Sequence, residues 1–268
     1  MAGKADLHVR TTTSGGKLSP AAALGLAKEK GLKAIAIVEH DTLETLPEVA
    51  GLSKMMNIEA IPGVELIYEE EAREAHIIGY FVDWHNSRLL SEIARTQTLR
   101  INRAAEMLEK LDGLGLHIVY EDLLREAGSS SVISRTHIAH HMFRRRMVKS
   151  QSEAFEKYLA RGKPAYVQSE QTPVYVVLGF VQDAGGVTAL AHPKFGNAEK
   201  MIPQLVEEGL NGLEVYHPNH TKSDVAHFTR VADKYGLVKV GGTDSGSGCV
   251  GEVTVPYKTV EQLKKKIK

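Results

Sequence analysis

The sequence predicts an α/β fold with a helical insertion, and two features of the residue pattern predict it. Short apolar runs alternate with helix-length segments in the first and last thirds of the 268-residue chain. Such alternation is typical of parallel strands joined by right-handed crossovers. Residues 87–161 instead show helical spacing and little strand pattern. We therefore expect residues 1–86 and 162–268 to form a barrel or a layered core, with residues 87–161 as a helical subdomain.

The elements of the first third are indicated by apolar runs and by helix-capping residues. The apolar runs predict strands at residues 5–9, 33–38, 58–66 and 74–81. Ser19 followed by Pro20 predicts a helix start, because serine caps a helix N-terminus and proline is tolerated in the first turn. Gly31 predicts the end of that helix. A second helix is expected near residues 46–56.

The last third repeats this order, and the middle of the chain is helical. The pattern predicts strands at residues 187–191, 212–216 and 238–240. A helix is expected at residues 174–184, two more around the apolar faces that contain Leu205 and Phe228, and a short one at the C-terminus. Four helices are predicted inside the insertion, near residues 101–111, 121–126, 135–146 and 152–160.

The composition is that of an ordinary globular protein, and it argues against several classes of function. Lys and Arg number 33 and Asp and Glu number 33, so no net charge would steer the chain towards nucleic acid or a membrane. No run of about 18 apolar residues exists for a membrane span, and the first nine residues lack the apolar core of a signal peptide. The single cysteine, Cys249, excludes an intramolecular disulfide, and we expect a cytoplasmic protein.

Histidines and carboxylates stand near the ends of nearly all the predicted strands. They are Asp6, His8, Glu39, His40, Asp41, Glu65, His76, His192, Glu214, His217 and Asp244. In parallel α/β folds, active sites form where the carboxyl ends of the strands meet. Histidine and carboxylate are ligand types of Zn, Mn and Fe. A single such residue is more often a buried structural side chain, but a shared metal or anion site explains the whole set.

Seven short motifs occur along the chain: DLHVRT at 6–11, VEHDT at 38–42, PGVE at 62–65, AHIIGY at 75–80, RTHIA at 135–139, AHP at 191–193 and GTDSG at 242–246. In this order they resemble the motifs of the PHP (polymerase and histidinol phosphatase) family. Each motif alone is weak evidence, but seven in the family order are strong. The resemblance implies a distorted (β/α)7 barrel with a helical insertion and a metal-dependent phosphoesterase activity.

The resemblance also implies which residues would bind metal. One site would use Glu65, His76 and His137, and all three are present. A second would use His8 and Asp244 together with Glu65. Three protein ligands plus water form a workable catalytic set. The family resemblance therefore predicts at least one complete metal site in this chain.

Three positions depart from the family pattern and reduce the expected number of metals. Arg10 stands where the second site has a further histidine, and Gly15 and Gly246 stand at two ligand positions of a third site. Only His40 remains of that third site. Arginine has no lone pair to offer and stays protonated, so it should repel a metal. We expect one or two divalent ions per chain (Mn, Zn or Fe) rather than three.

Four residues are candidates for binding substrate or acting in catalysis. Arg10 would either form an ion pair with a neighbouring carboxylate or grip a phosphate bidentately, and both alternatives stay open. Arg135 resembles a phosphate ligand and lies at a predicted helix start, although it could equally be a surface residue. His192 is a candidate general acid for the leaving group. His217 would border the substrate.

The sequence leaves three functions open. The first is metal-dependent hydrolysis of a small phosphomonoester, with a nucleotide as one candidate, by metal-activated water at a reduced metal site. The second is a degenerate family member that binds a phosphorylated ligand without turnover. The third is a non-enzymatic interaction module that uses the helical insertion. We favour the first, with a small phosphorylated substrate, no membrane partner and no strong signal for nucleic acid.

Overall fold

The computed structural model describes residues 3–70, 73–127, 133–168, 174–244 and 250–267. The chain divides into two compact units, each described here by itself. The first, which we call the barrel unit, comprises Met1–Ile93 and Gln171–Lys268. The second, the helical unit, comprises Ala94–Glu170.

The described part of the barrel unit contains eight strands in one sheet. In chain order they are β1 Lys4–Val9, β2 Ala34–His40, β3 Glu59–Glu70, β4 Arg73–Tyr80, β5 Val187–Leu190, β6 Gly212–Tyr216, β7 Val238–Gly241 and β8 Val255–Pro256. Their spatial order is β7-β6-β5-β4-β3-β2-β1-β8. All seven strands predicted from the apolar runs are present, with ends shifted by a few residues.

The direction of two strands differs from the parallel arrangement that the alternation predicted. β1, β2 and β3 pair in parallel, as do β5, β6 and β7. β4 is antiparallel to both of its neighbours, and β8 is antiparallel to β1. β3 ends at Glu70 and β4 begins at Arg73. So short a connection permits only an antiparallel hairpin, because a parallel crossover needs about a dozen residues or more.

The sheet nearly closes into a barrel because the segment after β7 contacts β1. The Thr243 backbone N–H donates to Asp6 Oδ1 (3.0 Å), and the Asp244 backbone N–H donates to the His8 carbonyl oxygen (2.7 Å). Gly242 lies so close to β1 that a Cβ there would stand 2.2 Å from the His8 backbone nitrogen. The fold is thus the barrel-like α/β class that the sequence predicted.

The helices cover the sheet or build the helical unit. In chain order they are α1 Pro20–Glu29, α2 Leu46–Met56, α3 Ser87–Asp112, α4 Tyr120–Ala127, α5 Arg135–Arg144, α6 Gln151–Ala154, α7 Val174–Asp183, α8 Ile202–Glu207, α9 Lys222–Tyr235 and α10 Lys258–Lys264. α6 continues into a π-helical turn at Phe155–Leu159. The predicted start of α1 is confirmed, because Ser19 Oγ accepts from the Ala22 backbone N–H (3.2 Å) and Pro20 follows it.

Each unit buries its own apolar core. Inside the barrel, the Tyr80 hydroxyl donates to the Leu7 carbonyl oxygen (3.0 Å), and both side chains are fully buried. In the helical unit, one cluster joins apolar residues of α3, α4 and α5, among them Met107, Leu111 and Ile138. Within the described ranges, no helix combines the length and apolar character needed to cross a membrane.

Candidate metal centre

The buried carboxylate of Glu65 lies at the centre of a histidine cluster. Glu65 is on β3, and its side chain has no exposed surface. Its Oε2 lies 2.8 Å from His40 Nε2 and 3.1 Å from His8 Nε2. Its Oε1 lies 2.7 Å from His76 Nδ1 and 3.3 Å from His192 Nε2. Four imidazoles from four parts of the fold therefore share one carboxylate.

Strand direction explains how these side chains meet. His8, His40 and His192 lie near or just after the carboxyl ends of parallel strands, which share one edge of the sheet. His76 lies near the start of β4, opposite Ile67 of β3. Because β4 is antiparallel, its start lies at the same edge as the ends of the others. The expectation that His76 ends a strand was wrong, yet its place in the cluster follows from this reversal.

A second buried carboxylate, Glu214 of β6, positions two of the histidines. Its Oε1 lies 2.9 Å from His8 Nδ1, and its Oε2 accepts from the His192 backbone N–H (2.7 Å). Carboxylates that orient ligand imidazoles in this way fix both the ring and its tautomer. The sequence marked Glu214 as a strand-end carboxylate but gave it no role. Only the fold places it behind His8 and His192.

A third carboxylate, Asp244, binds Arg10. Asp244 Oδ1 lies 2.9 Å from Arg10 Nε and 2.7 Å from Arg10 Nη2. Asp244 Oδ2 lies 3.3 Å from His217 Nε2, and Oδ1 lies 3.7 Å from His8 Nε2. Of the two alternatives for Arg10, the ion pair is thus formed, and its carboxylate is the expected ligand of the second metal. Phosphate binding by Arg10 stays a prediction.

The charged groups of the cluster shift one another's pKa values. Burial opposes ionisation of Glu65, but the charges of His40 and His8 outweigh it and hold the pKa of this carboxyl well below its ordinary value. Burial likewise opposes protonation of His8, yet Glu214 and Glu65 raise the pKa of its imidazole well above its usual range. An ionised carboxylate thus faces a cationic imidazole. A divalent cation can replace the imidazolium proton, because it supplies positive charge to the same oxygens.

The donor set fits a divalent metal. One ligand atom from each of His40, Glu65 and His76 lies within 4.8 Å of the other two. This is close to the spacing around one ion, whose bonds to such ligands are about 2 Å long. The resemblance placed His40 in a separate third site, whereas the structure brings it beside Glu65 and His76. The division of ligands between sites stays a prediction.

Three polar residues at strand ends adopt the left-handed backbone region that favours glycine. Asp41, His192 and Asp244 have φ values of 48°, 24° and 43°. Such conformations carry a conformational cost for most residues and persist where the surrounding contacts fix them. They cluster at functional sites, and here each follows directly after a strand or within a few residues of it. The backbone conformation therefore also indicates that the functional site lies at this edge of the barrel.

The remaining predicted site residues lie elsewhere in the chain. His137 and Arg135 belong to the helical unit, where His137 Nδ1 accepts from the Ser134 backbone N–H (3.1 Å) in a capping box at the start of α5. The Arg135 guanidinium lies 5.9 Å from the Tyr166 ring centre. Their roles as metal and phosphate ligands stay predictions. Gly15 is left-handed (φ 91°), and Gly246 lies outside the described residues.

Comparison with known proteins agrees with this geometry. The family model of the PHP domain matches residues 6–207, and the chain belongs to the PHP domain family. It is similar to a 3′,5′-nucleoside bisphosphate phosphatase of Chromobacterium violaceum, with 29% identity over 244 residues that cover 89% of this chain and 86% of the relative. It is also similar to a 5′-3′ exoribonuclease of Haemophilus influenzae, with 29% identity over 254 residues that cover 93% and 92%.

A solved structure supports the fold. A protein of Bifidobacterium adolescentis, described as a candidate metal-dependent phosphoesterase, superposes with a TM-score of 0.81 and covers 98% of this chain and 96% of its own. Because the two sequences are 24% identical, this similarity is evidence for the fold alone. Family membership, the curated relatives and the cluster around Glu65 together support a phosphoric ester hydrolase with a divalent metal.

Proposed function

We propose that this protein hydrolyses a phosphoester of a nucleotide at a divalent metal held by the cluster around Glu65. The observation that carries the proposal is the buried Glu65 carboxylate with four imidazole nitrogens between 2.7 and 3.3 Å from its oxygens. His40, Glu65 and His76 would hold the metal, with His8 beside them. A bound metal of this kind lowers the pKa of water and polarises phosphoryl oxygens.

The side chains around the metal would bind the substrate and move its protons. The His192 ring lies 3.3 Å from Glu65 through Nε2, and its backbone is fixed by Glu214. This position suits a general acid that protonates the leaving oxygen. His217, paired with Asp244, would border the leaving group.

The ion pair between Arg10 and Asp244 supports a site with fewer than three metal ions. The guanidinium neutralises Asp244 through two nitrogens that contact Oδ1, so a second metal at that carboxylate would have to displace this ion pair. The same planar fork also matches the oxygens of a phosphate. We propose that Arg10 takes over part of the charge that a second ion would supply, and that it contacts the phosphoryl group when substrate binds.

The relatives support nucleotides as the substrate class. One is a nucleoside bisphosphate phosphatase and another an exoribonuclease, each at 29% identity. We favour a small phosphomonoester over RNA, because the chain has no net positive charge to attract a polyanion. Hydrolysis of RNA is the alternative outcome of the assay below.

The first experiment measures bound metal by mass spectrometry. We expect one or two ions per chain in gently purified protein and their loss in a Glu65→Ala, His76→Ala double variant. His227→Ala is a matched control, because that imidazole also pairs with a glutamate (Glu199, 2.7 Å) but on the surface. Absence of bound metal after soaking with Mn or Zn would contradict the proposal.

The second experiment measures turnover. Phosphate release from nucleoside monophosphates and bisphosphates, and nucleotide release from 5′-phosphorylated RNA, are compared with Mn, Zn and Fe. Hydrolysis that requires both Glu65 and metal supports the proposal. A protein that binds metal and nucleotide yet releases no product with any of the three metals would be the degenerate family member. The Arg10–Asp244 ion pair is the observation that favours that alternative.

A further inference from the structure

An exposed aromatic ring lies on the segment that carries His192. Phe195 follows β5 and precedes α8, and 42% of its surface is exposed. Single exposed apolar side chains are common on soluble proteins and need no explanation by themselves. The position of Phe195 is more informative than its exposure, because its ring borders the histidine cluster.

The phenyl ring contacts two of the site imidazoles. Its centre lies 5.7 Å from that of His192, with the planes inclined by 59°, and 6.1 Å from that of His217, inclined by 70°. Neither imidazole is stacked parallel on the phenyl ring. These histidines in turn contact Glu65 and Asp244. Phe195 is therefore separated by one layer of side chains from the carboxylates that would hold the metal.

Hydrogen bonds hold the backbone that carries this ring. The His192 backbone N–H donates to buried Glu214 (2.7 Å), and the Phe195 backbone N–H donates to the His192 carbonyl oxygen (3.1 Å). The Phe195 carbonyl oxygen accepts from the Ala198 backbone N–H (3.0 Å). Pro193, between the two rings in sequence, is buried. A segment whose backbone is ordered before ligand arrives loses less conformational entropy when a ligand packs on it.

We infer that Phe195 determines substrate specificity by stacking on the nucleobase of the nucleotide, an inference that rests on the proposed function. A phosphoryl group bound beside Glu65 and His192 leaves the organic part of the ester pointing outwards, past His192 and His217. Phe195 would offer an aromatic face to it there. Stacking of a base on an aromatic ring strengthens binding by about 5- to 150-fold and tolerates any base, since every base has a π-face.

The test compares two ligands that share a sugar and a phosphate and differ in the base. Equilibrium binding of adenosine 5′-monophosphate and of ribose 5-phosphate is measured on metal-loaded wild type, Phe195→Ala and Phe195→Trp. We expect wild type to prefer the nucleotide by about 5- to 150-fold. Phe195→Ala should lose that preference with unchanged metal content and unchanged affinity for ribose 5-phosphate. Phe195→Trp should retain it.

Three results would overturn the inference: equal affinity of wild type for the two ligands, an alanine variant that weakens both ligands alike, or a preference that survives Phe195→Ala. Binding needs no turnover, so the inference and the proposed function can fail separately. A wild type that prefers the nucleotide through Phe195 and releases no phosphate supports the inference and contradicts the function. A wild type that hydrolyses the nucleotide, with a preference that survives Phe195→Ala, overturns the inference alone.

Discussion

At the scale of single residues, we propose that Arg10 limits how many metals the site can hold. It occupies a position where the family pattern has a histidine, and its guanidinium neutralises Asp244 within 2.9 Å. Arginine cannot ligate a metal, and its charge repels one. On this proposal, Arg10 replaces one expected histidine ligand and pairs with a second expected ligand, Asp244.

We predict that Arg10→His increases the metal content by about one ion per chain, because an imidazole replaces a cation and Asp244 is released. Arg10→Gln is the matched control, since it removes the charge without adding an imidazole, and it should raise the content less. Mass spectrometry after loading with Mn or Zn measures both. Equal metal content in wild type and Arg10→His would show that the ion pair does not limit loading.

Glu214 is the residue whose role became visible only in the fold. It contacts His8 through one oxygen and the His192 backbone through the other. We predict that Glu214→Gln weakens metal binding by about 10- to 100-fold, because carboxylates behind ligand histidines contribute that much. Competition with a chelator measures the affinity. Glu199→Gln, which alters a surface Glu–His pair, should leave it unchanged, and an equal loss in both variants would refute a specific role.

At the scale of secondary-structure elements, closure of the barrel depends on the contact between β1 and the segment after β7. Asp6 accepts hydrogen bonds from the backbone N–H groups of Thr243 (3.0 Å) and Gly251 (2.8 Å) and from the Thr243 hydroxyl (2.5 Å). Gly242 permits this approach, since it has no side chain. The same contact places Asp244 beside His8.

We predict that Gly242→Ala destabilises the protein by several kcal/mol or prevents folding, because its Cβ would lie 2.2 Å from the His8 nitrogen and 2.6 Å from Asp6 Oδ1. Gly25→Ala is the matched control. It lies within α1 with no atom within 4 Å of its added Cβ, and alanine there should stabilise the helix by about 0.5–1 kcal/mol. Urea unfolding followed by circular dichroism measures both, and similar midpoints would contradict the prediction.

At the scale of the whole molecule, the chain builds two units with separate apolar cores. The barrel unit carries the cluster around Glu65, while the helical unit carries Arg135 and His137. The alignments with the two curated relatives named above cover 89% and 93% of this chain, so they include most of the helical unit.

We predict that the stability of the helical unit depends on its own apolar core. Leu111→Ala removes a fully buried side chain of α3 and should cost about 2–5 kcal/mol, because it leaves a cavity. Leu114→Ala, three residues away and 47% exposed, should change stability by less than about 0.5 kcal/mol. Hydrogen exchange resolved by peptide locates the loss. Equal protection of residues 94–127 in the two variants would argue against this core.

The sequence by itself determined the class of fold, most of its elements and most of the residues around the site. Apolar runs mark strands because burial requires them, and helix starts such as Ser19–Pro20 are local, so both can be read from neighbouring residues. The histidines and carboxylates were found because each lies on a predicted strand or within a few residues of one. These signals span only a few residues, and no knowledge of pairing is needed to see them.

Only the tertiary structure decided how those residues are combined. Because β4 runs antiparallel to its neighbours, His76 lies at the same edge of the sheet as His8 and His40. The close approach of Gly242 to β1 sets Asp244 against Arg10, and β6 places Glu214 behind His8. Each of these contacts joins residues far apart in sequence, and strand direction and register fix them. A pattern of single residues contains no such information, because the same alternation is compatible with more than one pairing of strands.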